Sequence, residues 1–373
     1  MNVAEDPSGG MNTADVAVVI MAGGVGTRFW PLSTRRRPKQ FLSLLGGRSL
    51  LQQSFDRALL LTSPERILVL TSGDFMGLVQ EQLPELPPKN VVGEPMRRDT
   101  AGAVTLGALL CRARFGSGVM VVLTADHHIE PIEEFRRTLE SAIRAARGTR
   151  ALYTIGISPS YAACAYGYLQ RGLLVGEDGG VRHYRLDYFR EKPDVETAQE
   201  YVGSGEFCWN SGMFVWEVDT ILEEVAAQLP RHLELLSPVA DADGLPGWEE
   251  ELRAAFAALP SLSIDYGVME KADDVRMVEA TFKWSDLGGW LALEEFLESD
   301  GSGNRRRGRM AALGARGNLV FSEDPDELVA LLGVRNLVVV RAGHRTLVAG
   351  REHAEEIKEL VQFLEETGEG RDL

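Results

Sequence analysis

Val16-Ala17-Val18-Val19-Ile20-Met21, running into Ala22-Gly23-Gly24-Val25-Gly26-Thr27-Arg28, decides how this chain is read. The first six residues are an unbroken apolar run rich in β-branched side chains, which suits a strand buried on both faces of a parallel sheet. The glycines that follow let backbone N–H groups approach a phosphate closely, with no Cβ in the way. Arg28, and then Lys39 within Arg35-Arg36-Arg37-Pro38-Lys39-Gln40-Phe41, place cations within reach of the same anion. The dinucleotide fingerprint needs a glycine where Phe29 stands, and the ATP-type loop needs Gly-Lys followed by Ser or Thr, which does not follow this strand. Pro31 and Pro38 indicate a long ordered loop rather than an immediate helix. A Gly-Gly-x-Gly alone is compatible with an ordinary strand-to-helix turn. With Arg28 and Pro38-Lys39 added, the stretch reads as a nucleoside triphosphate site.

The 373 residues suffice for one large α/β domain and a small second one. Hydrophobic content of 45% and charged content of 25% are those of an ordinary globular protein. The net charge of −16 argues against a general nucleic-acid binder and makes the local Arg35–Lys39 cluster more informative. Cys111, Cys164 and Cys208 are few and lack metal-ligand spacing, which suits reduced thiols and a cytoplasmic location. No run approaches the length of a membrane span, so no membrane partner is expected. Residues 1–14 read as a polar, disordered tail, with Met11 an alternative start.

Downstream, apolar β-branched runs alternate with helical patterns. Strands are expected at 66–71, 90–92 and 119–123, and helices at 49–61, 74–83 and 100–114. That alternation predicts a Rossmann-like, doubly wound α/β sheet, mostly parallel, with ligands at the carboxyl ends of its strands. Asp126, in Thr124-Ala125-Asp126-His127-His128, lies at such an end and is the best single ligand for a divalent metal on phosphates. Its position is early for a cap on the helix expected near Pro131, and the two histidines lack a partner at zinc spacing. Between Ala151 and Trp216 the texture changes to short β-like pieces in which Tyr166, Gly167, Tyr168, Glu191, Lys192, Trp209 and Asn210 mix aromatics with polar groups. That mixture suits a polyhydroxylated ligand bearing phosphate, although each piece weighed alone favours a small β-subdomain with its own core. Asp265 and Asp286 each sit beside aromatics, and Asp286 is a second carboxylate for the Asp126 metal if the fold joins them. Asp300-Gly301-Ser302-Gly303-Asn304 reads as an interdomain linker. Beyond it come short strands, an amphipathic helix over 352–364, and no chemical constellation.

Taken together, Ala22-Gly23-Gly24-x-Gly26-Thr27-Arg28, Trp30-Pro31-Leu32-Ser33, Pro38-Lys39-Gln40-Phe41, Thr124-Ala125-Asp126-His127, Glu191-Lys192-Pro193, Trp209-Asn210-Ser211-Gly212-Met213-Phe214, Ser263-Ile264-Asp265-Tyr266 and Trp284-Ser285-Asp286 resemble the mannose-1-phosphate guanylyltransferases, within the sugar nucleotidylyltransferases. The resemblance spans about residues 16 to 364. It implies a nucleotide-diphospho-sugar transferase fold over 15–300 and a small C-terminal β-rich domain over 304–373, which packs on the main domain or pairs two subunits as a homodimer. It implies GTP and mannose 1-phosphate as substrates and Mg2+ as cofactor. Ala22, Gly23, Gly24, Gly26, Thr27, Arg28, Lys39, Glu94, Pro95 and Thr100 would bind the nucleotide. Gly167, Glu191, Lys192, Asn210 and Asp265 would bind the sugar phosphate, and Asp126 and Asp286 the metal. Arg28, Lys39, Asp126, Lys192 and Asp286 would carry the chemistry. The chain departs from the family pattern at Asp99, where Asn is usual, at Cys164-Ala165, where Thr-Gly is usual, and at Gly289, where Ser is common. The same chemistry on another sugar or base, and a non-catalytic nucleotide-sugar sensor on the same fold, remain open on the sequence.

Overall fold

A computed structural model describes residues 12–24, 26–370 and 373. Most of the expected N-terminal tail, residues 1–11, and Val25 of the glycine loop lie outside the described residues. The chain forms two compact units.

Among the described residues, the first unit comprises 12–23, 54–124 and 129–284. Its frame is a nine-stranded sheet in the order Val91–Glu94, Ile67–Ser72, Val16–Ala22, Val119–Thr124, Phe207–Glu217, Leu152–Ile157, Val275–Glu279, Val181–Arg190, Tyr168–Asp178. The first four strands are mutually parallel, in the order of half a dinucleotide-binding sheet. Only Phe207–Glu217 and Val181–Arg190 run against the rest. Val16–Ala22 is buried on both faces, as its composition requires. Ala17 and Val19 face a core built with the Asp99–Phe115 helix, which is buried almost all round. Gly107 lets that helix lie close to the sheet, since a Cβ there would meet Val19 Cγ1 at 3.2 Å.

The strands expected at 66–71, 90–92 and 119–123 are present, as are helices Leu50–Leu59, Met76–Gln82 and Asp99–Phe115. Two readings are corrected. The β-like pieces between Ala151 and Trp216 are long strands of the main sheet, not a subdomain, because Phe207–Glu217 pairs antiparallel with Val119–Thr124 and Leu152–Ile157 and its Phe214 and Trp216 enter the common core. The second concerns residues 300–304.

The second unit comprises residues 24–53, 125–128 and 285–373. Here Arg305–Arg307, Leu319–Ser322 and Leu337–Ala342 stack in parallel, and Arg309–Leu313 stacks on Leu328–Leu332, so the chain coils through successive rungs. Buried Asn318 ties the coil together. Its Nδ2 donates to Asn304 Oδ1 at 2.8 Å, and its Oδ1 accepts the Leu337 N–H at 3.0 Å. The stretch read as a linker is a tight hairpin turn inside this unit. Asp300 Oδ1 accepts the N–H groups of Ser302 and Asn304, and the flanking strands Glu298–Ser299 and Arg305–Arg307 pair antiparallel. Composition signalled a turn there, and side-chain capping makes it a rigid one. Phe29 and Trp30, just after the glycine loop, are buried in this unit's core. Phe29 meets Trp290 edge-on at 5.1 Å, and Trp290 Nε1 donates to the Trp30 carbonyl at 3.1 Å. No described helix is long and apolar enough to cross a membrane.

Candidate active site

Within the second unit the glycine loop is fitted to Lys39. Gly26 has φ +58°, and a Cβ there would lie 2.2 Å from Lys39 Cβ, so both conformation and space demand glycine. Gln40 Nε2 donates to the Gly24 carbonyl at 3.0 Å and ties the start of the loop to the Lys39 segment. The Lys39 side chain is buried, and its ammonium donates to Asp126 Oδ2 at 3.0 Å and to the Asp286 carbonyl. Burial works to raise the Asp126 pKa, but the Lys39 ammonium and His127 outweigh it and hold the carboxyl below the ordinary aspartate range. Asp286 begins a turn in which Gly288 N–H donates to Asp286 Oδ1 at 3.1 Å and Leu287 takes φ +43°. A Cβ on Gly288 would lie 3.1 Å from Asp286 Oδ2 and 3.5 Å from Arg28 Nη1, so the carboxylate and the guanidinium flank one point. Gly24, Gly26, Thr27, Arg28, Lys39, Asp126 and Asp286 thus share this unit.

Two carboxylates with hard oxygen donors suit a divalent cation that completes its shell from phosphate and water. The Lys39 ammonium on Asp126 shows this carboxylate already arranged to receive positive charge. Among the described residues no group of three or more His, Cys, Asp or Glu side chains forms a closed metal cage. His127 Nε2 lies 3.8 Å from Asp126 Oδ1, and His128 packs edge-on against Phe296.

The remaining predicted residues lie in the first unit. Ala22 closes its strand by accepting Thr71 Oγ1 at 3.0 Å, and Gly23 follows. Glu94 ends the neighbouring Val91–Glu94 strand, its Oε2 3.9 Å from where a Gly23 Cβ would stand, and burial lifts its pKa to about 7. Pro95 comes next in the chain. Thr100 Oγ1 accepts the Ile264 N–H at 2.8 Å, which fixes the start of the Asp99–Phe115 helix.

Around Asn210 the predicted sugar residues converge. Asn210 N–H donates to the Gly167 carbonyl at 2.8 Å, and Asn210 Nδ2 to Asp265 Oδ1 at 2.8 Å. A Cβ on Gly167 would lie 2.3 Å from Glu191 Oε2, so the glycine makes room for that carboxylate. Among the described residues, Glu191 Oε2 is buried without a hydrogen-bond partner. Burial, reinforced by Asp265, pushes Glu191 up to about 7, and burial pushes Asp265 up to about 6 against the opposing Asn210 hydrogen bond. Lys192, with φ +45°, places Nζ 3.7 Å from Glu191 Oε1 and leaves most of its side chain exposed. Tyr166 meets Trp209 at 5.1 Å and Trp284 at 5.4 Å, forming an aromatic wall. A buried acceptor without a partner, an amide held in one orientation and a nearby ammonium are what a phosphorylated polyol would use.

The nucleotidyl transferase family model matches residues 17–302, and the model of the MannoseP isomerase/GMP-like beta-helix domain matches residues 308–364. The mannose-1-phosphate guanylyltransferase of Salmonella montevideo is 37% identical over 355 residues, covering 93% of this chain and 73% of that one. The mannose-1-phosphate guanylyltransferase of Escherichia coli is 38% identical over 351 residues, covering 93% and 74%. The crystal structure of mannose-1-phosphate geranyltransferase from Thermus thermophilus superposes with a TM-score of 0.83 at 35% identity, over 94% of this chain and 99% of that one. The chain belongs to the mannose-1-phosphate guanylyltransferase family.

Two residues of this guanylyltransferase-family chain that touch the site had no clear signal in the sequence. Thr154 Oγ1 donates to Asn210 Oδ1 at 2.9 Å and so orients the amide toward Asp265, yet a threonine inside a strand is unremarkable in sequence. Glu355, in the C-terminal segment read as free of chemistry, places Oε2 3.4 Å from Arg28 Nη1. The short helix Arg351–Glu356 carries Glu355 to Arg28, and nothing local in the sequence announces it. The departure at Asp99 has a physical account. Asp99 takes φ +62°, a left-handed conformation that Asn and Asp both tolerate better than other side chains.

Proposed function

We propose that the chain transfers GMP from GTP to α-D-mannose 1-phosphate, giving GDP-mannose and pyrophosphate. The observation that carries the chemistry is Lys39, whose buried ammonium joins Asp126 to Asp286 beside the glycine loop. In this reading the loop N–H groups, Arg28 and Lys39 take the triphosphate, and Ala22, Gly23, Glu94, Pro95 and Thr100 are further nucleotide-binding residues. Lys192 holds the sugar phosphate, while Glu191, Asn210, Asp265 and the Gly167 backbone read the sugar hydroxyls. A phosphate oxygen of the sugar phosphate attacks the α-phosphorus in line as pyrophosphate leaves. That nucleophile is already ionised near neutral pH, so the side chains act by positioning it and by neutralising charge that builds on the leaving group. Asp126 and Asp286 would hold Mg2+, which when bound would polarise phosphate oxygens as a Lewis acid.

A pyrophosphate-release assay over a panel of nucleoside triphosphates and sugar 1-phosphates tests the assignment. Strongest turnover is expected with GTP and mannose 1-phosphate. Turnover confined to another pair would move the assignment within the family, and binding without turnover would make the chain a sensor.

We also propose that residues 304–373 act as a small domain that pairs two copies of the chain. Leu313, Leu328 and Leu332, on the stacked Arg309–Leu313 and Leu328–Leu332 strands, are largely exposed, which is unusual for a parallel pair. Sedimentation should give a dimer that Leu313→Asp with Leu332→Asp dissociates; a wild-type monomer rejects this.

A further inference from the structure

Three arginines around the glycine loop each meet a glutamate from the C-terminal part of the same unit. Arg28 Nη1 lies 3.4 Å from Glu355 Oε2, Arg37 Nη1 lies 2.6 Å from Glu323 Oε1, and Arg35 pairs with Glu365. Only Arg28 belongs to the nucleotide-binding set. Its guanidinium also stands within 3.5 Å of the point that is 3.1 Å from Asp286 Oδ2, so carboxylates lie on two of its sides. Such surroundings repel a polyphosphate as long as the arginine stays committed to them. The Arg28 and Glu355 side chains are 45% and 66% exposed, so their single long contact is weak and exchangeable. A triphosphate carries several charges into the same place and offers shorter, charge-assisted hydrogen bonds.

We propose that Glu355 is the resting counter-ion of Arg28: it holds the guanidinium in the nucleotide-free protein and gives it up when a triphosphate binds. Glu355 touches neither reacting group and is therefore a positioning residue, one through which the C-terminal domain sets the affinity for nucleotide. The proposal rests on the reading of Arg28 as a phosphate ligand. It differs from ordinary surface pairing in one respect, since the effect of Glu355 on nucleotide must pass through Arg28.

The test is a double-mutant cycle on GTP binding, measured calorimetrically without sugar phosphate, on the full chain as wild type, Glu355→Gln, Arg28→Ala and the double variant. Glu355→Gln is expected to tighten GTP binding about 2- to 5-fold, the range that an exposed pair spans. In the Arg28→Ala background the same substitution is expected to change nothing. Glu323→Gln, which releases Arg37 instead, should leave the affinity at its wild-type value. Unchanged or weaker binding in Glu355→Gln overturns the proposal. Equal tightening without Arg28, or in Glu323→Gln, also overturns it, because bulk charge would then be the cause. Arg28→Ala binding GTP as well as wild type would overturn the underlying reading too. Weakened binding in Arg28→Ala with a flat cycle would overturn the counter-ion role alone.

Discussion

Lys39 Nζ donates to Asp126 Oδ2 at 3.0 Å and to the backbone carbonyl of Asp286, so one buried ammonium joins segments 87 and 247 residues away in sequence. Removing it takes the ammonium away from Asp126 Oδ2 and from the Asp286 carbonyl. Lys39→Ala is expected to reduce turnover by roughly 100-fold or more, the scale of losing one preorganised charge at a reacting phosphate. It should also lower stability by about 1–2 kcal/mol, the worth of a charged hydrogen bond discounted for the partial exposure of Asp126. Denaturant unfolding and pyrophosphate release measure the two effects separately. Near-normal turnover in a folded Lys39→Ala would remove Lys39 from the chemistry.

The metal proposal makes a second demand. Asp126→Asn and Asp286→Asn keep the shape of each side chain while removing the charge that a hard cation needs. Both are expected to abolish pyrophosphate release, Asp286→Asn with little change in melting temperature and Asp126→Asn with a loss of about 1–2 kcal/mol, because it takes the carboxylate from buried Lys39. Both should also lose binding of Mn2+, used as a paramagnetic probe and followed by electron paramagnetic resonance. Wild-type Mn2+ affinity in either variant would separate that carboxylate from the metal.

Glu191 carries a pH signature. Its pKa in the folded protein is about 7, against an ordinary value of 4.5, with burial as the main cause. Between these values the folded protein holds a proton that the unfolded chain has lost. The stabilisation is therefore full below about 4.5 and is lost as the pH rises through about 7. Glu191→Gln, which cannot ionise, is expected to gain stability relative to wild type between about pH 5 and pH 8 without substrates. Melting curves across that range read the difference, and a constant offset would place the charged form of Glu191 in no worse an environment than water.

The sequence made the parallel core legible because local composition and tertiary role coincide there: a run such as Val16–Ile20 has no other comfortable place than a sheet covered on both faces. The loop carrying Gly26, Arg28 and Lys39 was legible for a similar reason, since glycine at φ +58° against Lys39 Cβ leaves a composition that few other environments require. What escaped was long-range pairing. Phe207–Glu217 looked like fragments because its partners, Val119–Thr124 and Leu152–Ile157, are distant in the chain. Glu355 reads as one more acidic residue on a surface helix until the fold sets it beside Arg28. Asp300–Asn304 has the composition of a flexible connector, and only the side-chain hydrogen bonds of Asp300 and Asn304 turn it into a fixed corner.

The two lysines should be separable by kinetics. Lys39 is buried among carboxylate and carbonyl oxygens beside the glycine loop, whereas Lys192 is largely exposed, with Nζ 3.7 Å from Glu191 in the pocket organised by Asn210. If Lys192 grips the sugar phosphate, Lys192→Ala removes one charge-assisted hydrogen bond, worth about 1.5–3 kcal/mol. The KM for mannose 1-phosphate should then rise roughly 10- to 150-fold while that for GTP barely moves. Backbone strain does not confuse the comparison, because lysine and alanine both carry a Cβ and pay the same penalty at φ +45°. If the Lys39 ammonium serves the charge developing on pyrophosphate, as proposed, Lys39→Ala should instead impair GTP binding or turnover. Steady-state kinetics with each substrate varied in turn distinguishes the two patterns. Equal damage by both variants to both substrates, with the fold intact, would show that the phosphates are not divided between the lysines in this way.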